Sequence, residues 1–354
     1  MKALILSGGE GTRLRPITHT SAKQLVPVAN KPILFFGIES IVEAGITDIG
    51  IIVGSTKADI QAAVGDGSRW GAKITYIEQE APLGLAHAVL IAEKFLKQEP
   101  FVMYLGDNLI KGGITRFVNE FTAGNSNANI LLAKVPNPSQ FGVAELAGGK
   151  VVRLIEKPKK PKSDLALVGV YLFDKNIFTA VKKIKPSWRN ELEITDAIQT
   201  LIDLGFNVQS HVIEGWWKDT GKLEDMLEAN RIILDTFSYR VDGHVDKTSK
   251  VEFKVVIEKG ARIINSTILG PAIIGENTVI KNAYIGPFTS IENDVHVEES
   301  EVEQSIILSN SSVCNMRTRI AESLIGKGVE ISRMEMKPKV YRLMLGDSSK
   351  IGLP

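Results

Sequence analysis

The chain has 354 residues, 44% of them hydrophobic and 23% charged, which is ordinary for a soluble globular protein of about two domains. Forty-two Lys and Arg residues against 41 Asp and Glu residues give a net charge of +1. This balance excludes nonspecific binding to nucleic acid or anionic membranes, which needs a basic surplus. A single cysteine, Cys314, excludes a disulfide framework and a cysteine-based zinc site and favours a cytoplasmic location. The longest apolar runs predict neither a transmembrane span nor a signal peptide.

Residues 1–127 alternate between short apolar runs and helical patterns. The apolar runs that predict buried strands lie at residues 2–7, 48–53, 74–79 and 101–107. The patterns that predict helices lie at residues 31–44, 57–64 and 85–96. Strand–helix alternation at this spacing predicts an α/β fold with a mostly parallel, doubly wound sheet of the Rossmann-like class.

Between residues 128 and 237, predicted strands follow one another more closely. The four apolar runs are NILLAKV, FGVAEL, VVRLIEK and LVGVYLF, and they predict antiparallel additions to the sheet. Helical patterns at about 175–184, 191–204 and 222–237 complete this part of the chain. Residues 1–237 are therefore predicted to form one domain with a mixed sheet.

The pattern changes beyond about residue 251, where apolar residues recur at roughly every sixth position. Ile257, Ile263 and Leu269 form one such series, and Ile-Gly or Leu-Gly pairs recur through the segment. This period predicts a left-handed parallel β-helix over residues 251–354, closed by a cap from Met334 onward. The polar segment 238–250 predicts a linker. An ordinary antiparallel β domain is the alternative.

A glycine-rich segment, GGEGTRLRP, directly follows the first predicted strand. Its glycines allow backbone N–H groups to approach a phosphate closely, and Arg13 adds a planar cation that suits phosphate oxygens. The segment lacks both the Walker GxxxxGK[ST] pattern and the third glycine of the dinucleotide-binding fingerprint. A tight turn without a ligand is the alternative, but Thr12, Arg13 and the nearby Lys23 favour an anion-binding loop.

This segment is the first of an ordered series of motifs that resembles the sugar-1-phosphate nucleotidylyltransferases. The next is KQLVPV at residues 23–28, whose Lys-Gln pair is similar to the glucose-1-phosphate thymidylyltransferase branch. Further motifs lie at residues 79–88, 105–108, 141–143, 156–158, 168–171, 191–196 and 217–221. The resemblance covers residues 1–237, which it implies are the catalytic domain, and the predicted β-helix resembles the long form of this family.

The resemblance implies transfer of a thymidylyl group from dTTP to α-D-glucose 1-phosphate, giving dTDP-glucose and pyrophosphate. The attacking phosphate is already ionised at neutral pH, so the reaction needs positioning and charge neutralisation rather than a strong base. Use of UTP or N-acetylglucosamine 1-phosphate is one alternative, and thymine differs from uracil by a methyl group worth only about 1 kcal/mol. A noncatalytic nucleotide-sugar-binding scaffold, or acyl transfer by the β-helix through His296, are alternatives of other classes.

The resemblance also assigns roles to individual residues. The catalytic cations are Arg13, Lys23 and Lys157, and the ligands of a Mg²⁺ cofactor are Asp107 and Asp219. The nucleotide-binding residues are Gly8, Gly9, Gly11, Thr12, Gln24, Gln79, Pro82, Gly84 and Leu85. The sugar-phosphate-binding residues are Asn108, Gly142, Glu156, Lys157, Val168 and Arg189. The expected partners are dTTP, a sugar 1-phosphate and further copies of the chain in a homo-oligomer, with neither nucleic acid nor a membrane.

The residue types fit these roles. Asp107 ends a predicted parallel strand, where α/β sheets bind their ligands, and two carboxylates with phosphate oxygens make an ordinary Mg²⁺ shell. Capping of a turn or helix is the alternative for Asp107 and for Asp219. The amides of Gln24 and Gln79 can each pair with a carbonyl and an imide N–H of a pyrimidine. Arg189 is followed by Asn190 where the family usually has glycine, which leaves the local backbone geometry in question.

Overall fold

The computed structural model describes residues 1–9, 11–333 and 343–352. Contacts divide the chain into two compact units, each built from more than one stretch of sequence. The first comprises residues 1–10, 21–25 and 33–219, and the second comprises residues 11–20, 26–32 and 220–354. The division differs from a single boundary at 238–250, because two short N-terminal segments make their contacts with the C-terminal part of the chain.

The elements up to residue 219 are numbered in chain order. The strands are β1 (Lys2–Leu6), β2 (Pro27–Val28), β3 (Lys31–Pro32), β4 (Asp48–Val53), β5 (Lys73–Glu78), β6 (Phe101–Leu105), β7 (Asn108–Ile110), β8 (Ala128–Lys134), β9 (Gly142–Ala147), β10 (Lys150–Glu156), β11 (Leu165–Phe173), β12 (Val208–Val212) and β13 (Trp217–Asp219). The helices are α1 (Ile33–Glu43), α2 (Lys57–Val64), α3 (Leu85–Ile91), α4 (Glu93–Leu96), α5 (Thr115–Ala123), α6 (Asn176–Val181) and α7 (Ile194–Asp203).

A nine-stranded mixed sheet forms the centre of the first unit. Its main path runs β10-β9-β11-β6-β1-β4-β5, and β8 joins β11 to the parallel strand β12. The pairs of β1 with β4 and β6, and of β4 with β5, are parallel, whereas β11 pairs antiparallel with β6, β8 and β9. Both the parallel core and the antiparallel additions predicted from the sequence are confirmed.

Strand β1 shows why the apolar runs become central strands. All five of its side chains are buried, and alternate residues enter two different apolar clusters on the two faces of the sheet. Leu4 packs in one cluster and Ile5 in the other. A strand covered on both faces needs a continuous apolar run rather than an alternating one.

The predicted helices are present with small changes. The pattern over 31–44 begins as helix only at Ile33, because Lys31–Pro32 pairs with Pro27–Val28 as a short hairpin. The pattern over 85–96 is interrupted at Ala92 and gives two helices. Among the residues described, no helix combines the length and apolar character needed to cross a membrane.

The second unit contains helix α8 (Leu223–Leu234) and a stack of short parallel strands. The strands are β14 (Arg240–Val241), β15 (His244–Val245), β16 (Lys250–Glu252), β17 (Val255–Ile257), β18 (Arg262–Ile264), β19 (Thr267–Leu269), β20 (Ala272–Ile274), β21 (Val279–Lys281), β22 (Tyr284–Ile285), β23 (Thr289–Ile291), β24 (His296–Glu298), β25 (Glu301–Glu303), β26 (Ile306–Ile307), β27 (Ser312–Cys314), β28 (Ile320–Ala321), β29 (Leu324–Ile325) and β30 (Glu330–Ser332).

These strands form three parallel sheets in which every third strand is a neighbour, consistent with the predicted left-handed β-helix. Stacked residues lie 16 to 18 positions apart, so each coil corresponds to about three hexapeptides with slips of one or two residues. Ile263, Ile280, Val297 and Val313 stack through successive coils and are fully buried. Burial of each such side chain stabilises the fold by about 2 kcal/mol.

The ends of the β-helix bear on two predictions. Strands β14 and β15 pair in parallel with the next coil, so the β-helix begins inside the segment predicted to be a linker. The predicted cap from Met334 onward falls mainly on residues 334–342, which lie outside the described residues. Residues 343–352 belong to the second unit.

Candidate functional site

Two predicted metal ligands lie on neighbouring strands of the first unit. Asp107 follows β6 at its carboxyl end, one residue before β7 begins. Strand β13 runs antiparallel to β7 and pairs Asp219 with Asn108. The two carboxylate residues are therefore brought together by backbone pairing, although 112 positions of sequence separate them.

Asp107 is a buried carboxylate with defined partners. It forms an ion pair with Lys23 and accepts a 3.0 Å hydrogen bond from Nδ2 of Asn108. Burial works to raise the pKa of Asp107, but the Lys23 ammonium and these hydrogen bonds outweigh it and hold that pKa below its ordinary value. The carboxylate is consequently ionised at neutral pH. Asp107 therefore presents a negative charge at the carboxyl end of the parallel strands.

The residues present fit a magnesium ion whose shell is completed from outside the protein. Asp107 and Asp219 offer oxygen donors, which are the ligands that Mg²⁺ prefers. Within the described part of the chain, three or more His, Cys, Asp or Glu side chains nowhere gather as a complete metal cage. Magnesium commonly uses one or two carboxylates and takes its other ligands from substrate phosphates and water.

A buried amide and an ammonium group lie beside the glycines that follow β1. A Cβ atom placed on Gly9 would lie 3.1 Å from Cε of Lys23 and 3.8 Å from Nε2 of Gln24. Gln24 is 1% exposed, and its Oε1 atom has no hydrogen-bond partner among the described residues. A buried acceptor without a partner costs free energy, so this amide is suited to a ligand that donates a hydrogen bond.

Gln79 lies on the other side of the same glycine pair. A Cβ atom on Gly8 would lie 3.6 Å from Oε1 of Gln79. Nε2 of Gln79 donates to the Gly84 carbonyl at 3.2 Å and to Nδ1 of His87 at 2.9 Å. Burial lowers the pKa of His87, which favours the neutral imidazole that can accept this bond. His87 thus orients the Gln79 amide.

The loop that carries Pro82, Gly84 and Leu85 is fixed to the 191–196 motif. Gly84 has a φ of +100°, and a Cβ atom there would lie 2.4 Å from the Leu192 carbonyl oxygen. Leu192 accepts a hydrogen bond from the Ala86 N–H and donates one to the Leu83 carbonyl. Glycine is required at position 84 because both its backbone conformation and this close approach exclude a side chain.

The predicted sugar-phosphate residues meet where β9 and β10 pair. Glu156 lies opposite Gly142 in this ladder, and a Cβ atom on Gly142 would lie 3.1 Å from Oε2 of Glu156. Nη1 of Arg189 lies 3.7 Å and Nζ of Lys157 lies 3.9 Å from Oε1 of Glu156. Burial, followed by the negative charge of Glu193, raises the pKa of Glu156 despite these two cations.

Asn190 resolves the question of backbone geometry beside Arg189. Its φ is +60°, in the left-handed region where glycine is favoured and where asparagine is the next most tolerant residue. Arg189 keeps ion pairs with Glu191 at 2.8 Å and with Glu193 at 3.4 Å. Asparagine at position 190 is therefore compatible with the left-handed conformation of this turn.

Asn108 is held by partners that sequence reasoning missed. Its Oδ1 atom accepts hydrogen bonds from Nε1 of Trp217 at 2.5 Å and from the Gly169 N–H at 3.2 Å. Val168, the residue before this glycine, is fully buried, so only its backbone is available to a ligand. The sequence signal that could have pointed to the bond between Trp217 and Asn108 was the position of Trp217 in the WKDTG motif.

The remaining predicted residues lie in the second unit. Gly11 has a φ of +65° and begins the 3₁₀ turn Thr12–Leu14. The side chains of Thr12 and Arg13 are exposed. A Cβ atom on Gly221 would lie 2.5 Å from Nη2 of Arg13, so the guanidinium rests directly on the backbone at that glycine.

Residues 2–236 match the family model described as nucleotidyl transferase, and the chain belongs to this family. The glucose-1-phosphate thymidylyltransferase of Streptomyces griseus is 56% identical over 351 residues, which cover 99% of each chain. The enzyme of that name from Streptomyces antibioticus is 57% identical over 353 residues, again 99% of each chain. The resemblance inferred from the motifs is confirmed.

A solved structure extends the likeness. A Bacillus anthracis protein described as a glucose-1-phosphate thymidylyltransferase, in complex with sucrose, superposes with a TM-score of 0.64 at 37% identity. The match covers 68% of this chain and 98% of that one. The part of this chain beyond the match therefore has no counterpart in that structure.

Proposed function

We propose that the protein transfers a thymidylyl group from dTTP to α-D-glucose 1-phosphate, releasing pyrophosphate and forming dTDP-glucose. The observation that carries the proposal is the arrangement around Gly9, where the buried Gln24 amide and the Lys23 ammonium lie together and Lys23 contacts Asp107. A base-reading amide, a phosphate-binding cation and a metal-binding carboxylate thus share one corner of the first unit. The full-length Streptomyces relatives support the choice of substrates.

The chemistry is an in-line displacement at phosphorus. A phosphate oxygen of the sugar 1-phosphate forms a bond to the α-phosphorus of dTTP, while the bond from that phosphorus to the bridging oxygen of pyrophosphate breaks. Both reacting groups are anionic, so the protein must hold them together against repulsion and neutralise charge in the transition state. Arg13, Lys23 and Lys157 are proposed to supply this positive charge.

The proposal includes Mg²⁺, held by Asp107 and Asp219. When bound, the ion would neutralise phosphate oxygens and fix their orientation. Lys23 holds the Asp107 carboxylate in its ionised form, ready for a cation. Asn108, in turn, is held by Trp217 from the strand that carries Asp219, which keeps the two strand ends in register.

Base and sugar recognition use the two glutamines and the Glu156 region. The Oε1 atom of Gln24 is available to accept the imide N–H of thymine, and His87 fixes Gln79 for a second contact. Glu156 is proposed to accept sugar hydroxyls, with Lys157 and Arg189 on the sugar phosphate. Discrimination against uracil depends on one methyl group, so slower turnover of UTP is expected.

The experiment is a matrix of nucleoside triphosphates and sugar 1-phosphates with detection of released pyrophosphate. The proposal expects the highest kcat/KM for dTTP with glucose 1-phosphate. A higher kcat/KM for UTP or for N-acetylglucosamine 1-phosphate at equal concentrations would reassign the substrate. Binding of dTDP-glucose without turnover of any pair would indicate a noncatalytic scaffold.

The proposal also includes a cytoplasmic location and a homo-oligomer. The first is supported by the single cysteine, whose thiol is free. The second is supported by exposed aromatic residues on either side of the first coil of the β-helix, Tyr239 and Phe253, which are 57% and 61% exposed. Light scattering of the purified protein tests the oligomeric state, and a monomer would contradict it.

A further inference from the structure

The turn that carries Thr12 and Arg13 is organised around one carbonyl group. The Gly11 carbonyl accepts hydrogen bonds from the Leu14 N–H at 2.9 Å and from Oγ1 of Thr18 at 2.7 Å. Thr18 is buried, in contrast to Thr12 and Arg13. The buried hydroxyl therefore closes the loop, while the two proposed phosphate-binding side chains remain exposed.

The residues beside Thr18 contact the far end of the β-helix. A Cβ atom on Gly326 would lie 3.2 Å from Cδ1 of Ile17, so Ile17 packs on the bare backbone at the corner after β29. The Gly326 carbonyl accepts a 2.7 Å hydrogen bond from Oγ of Ser311, which ties that corner to the coil before it. Nε2 of His19 donates to the Asp347 carbonyl at 3.2 Å.

The guanidinium end of Arg13 also rests on structure anchored in the β-helix. Arg13 lies on Gly221, two residues before helix α8 begins. Within α8, Asn230 is fully buried, donates to the Phe288 carbonyl at 3.0 Å and accepts from Oγ of Ser290. Phe288 and Ser290 belong to the β-helix. Ile17 at the base of the turn and the Arg13 cation are thus both supported by structure anchored in the β-helix, at two different coils.

We infer that the β-helix positions the Thr12–Arg13 turn for the triphosphate, with Ile17 and Thr18 as positioning residues of the reaction. This inference rests on the proposed function. Displacement of a phosphate-binding group by about 1 Å can lower the rate by up to two orders of magnitude. Because the inference concerns the turn that carries the proposed phosphate-binding residues, we expect the effect of Ile17 and Thr18 to fall on dTTP rather than on glucose 1-phosphate.

The test uses the full chain and two matched pairs of variants. Thr18→Val removes the hydroxyl at nearly constant volume, whereas Thr18→Ser keeps it. Ile17→Ala removes the contact with the β-helix, whereas Ile17→Leu keeps an apolar side chain of similar size. We expect Thr18→Val and Ile17→Ala to raise the KM for dTTP about tenfold. Their KM for glucose 1-phosphate should stay within about twofold of the wild type, and Thr18→Ser and Ile17→Leu should behave as the wild type.

The contact itself is tested from the β-helix side. Gly326→Ala places a methyl group against Ile17 and should raise the KM for dTTP, but it should add little in the Ile17→Ala background, where the space is open. Thr267→Ala, at an exposed side chain elsewhere in the β-helix, is the control and should leave both KM values unchanged. Thermal unfolding of each variant verifies the fold.

The outcomes separate this inference from the proposed function. If the wild type forms dTDP-glucose and the folded Thr18→Val and Ile17→Ala variants keep its KM for dTTP, the positioning role is overturned. Equal increases in both KM values would also overturn it, because they indicate general loosening of the fold. If Thr18→Val fails to fold, Gly326→Ala alone decides by the same criteria. A wild type without turnover refutes the proposed function instead, and calorimetric binding of dTTP then ranks the variants.

Discussion

At the scale of single residues, Lys23 and Asp107 each serve two tasks. The ion pair neutralises two charges that would otherwise be costly to bury. It also holds the Asp107 carboxylate through Lys23, which lies beside the glycines that follow β1. A residue that is fixed in the free protein needs no further ordering when substrate binds. The same contact therefore contributes to the stability of the fold and to readiness for the reaction.

Replacing Asp107 tests both tasks. Asp107→Asn should lower kcat by about a hundredfold or more, because the variant loses the charge that is proposed to bind Mg²⁺ and to offset Lys23. It should also lower the unfolding midpoint, measured by thermal denaturation, because the partly buried Lys23 ammonium loses the negative charge of Asp107. Asp59→Asn, at an exposed position of α2, is the control. Wild-type turnover in folded Asp107→Asn would refute the metal assignment.

Glu156 contributes to the stability of the fold in a way that depends on pH, and the sign of this contribution follows from its pKa. Its pKa is raised in the folded protein, so the native state binds more protons than the unfolded state between the ordinary value of 4.5 and the raised value. The stability that this group contributes is present below pH 4.5 and is lost as pH rises through the raised pKa.

The Glu156→Gln variant lacks this titration. The free energy of unfolding of the wild type, measured in urea, should therefore increase relative to that of Glu156→Gln as the pH falls through this window. Glu330→Gln, at an exposed position of the β-helix, controls for the loss of one negative charge. A constant difference between wild type and Glu156→Gln at every pH would contradict the raised pKa.

At the scale of elements, helix α8 links other elements of the second unit to one another. Asn230 accepts the Ala29 N–H at 2.7 Å and bonds to Phe288 and Ser290, so one amide links the hairpin β2–β3, the helix and the β-helix. Ala29, Leu234, Val256 and Ile273 form an apolar cluster around it. A polar side chain at the centre of such a cluster specifies one arrangement of the three elements.

Asn230→Ala should be strongly destabilising. It leaves the Ala29 N–H and the Phe288 carbonyl without their partner in a buried setting and opens a small cavity, which together cost about 3 kcal/mol. Urea denaturation monitored by circular dichroism measures the loss. Glu224→Gln, on the exposed side of the same helix, should change stability by less than about 0.5 kcal/mol. A loss of similar size in both variants would argue against the network.

Local pattern predicted the elements well, and long-range contact explains what it missed. The run DIGIIV and the pattern KADIQAAV became β4 and α2 with unchanged bounds, because each carries its own periodicity. By contrast, the bond of Trp217 to Asn108 depends on the pairing of β13 with β7, and that of His87 to Gln79 depends on the turn between β5 and α3. No periodicity within residues 11–20 or 26–32 indicates that they pack with the C-terminal half.

At the scale of the whole molecule, the net charge of +1 does not reveal that positive and negative side chains are paired locally. The cations proposed for phosphate binding lie beside carboxylates, as Lys23 does beside Asp107 and Arg189 does beside Glu191 and Glu193. The protein therefore collects the charges needed for a polyanionic nucleotide without a basic surface. Binding of dTTP should depend on these few contacts and only weakly on long-range attraction.

Removal of divalent cations tests this arrangement in the intact protein. EDTA should stop turnover, and Mg²⁺ should restore it, while the thermal unfolding midpoint stays within about 2 °C. The reason is that Lys23 and Asn108 already hold Asp107, so the fold does not depend on the ion. EDTA saturated with Mg²⁺ is the control. A midpoint that falls by many degrees would show that the cation is structural.

The composition of the second unit has a consequence for biosynthesis. The chain passes between the two units five times, and His19 and Asp347, which share a hydrogen bond, are separated by 328 positions. On the ribosome, residues 11–20 and 26–32 leave the exit tunnel early, but most of their partners are made last. The Thr12–Arg13 turn can therefore reach its final surroundings only after its partners as far as Asp347 have been made, so nascent chains that lack them should lack the finished form of the proposed phosphate-binding turn.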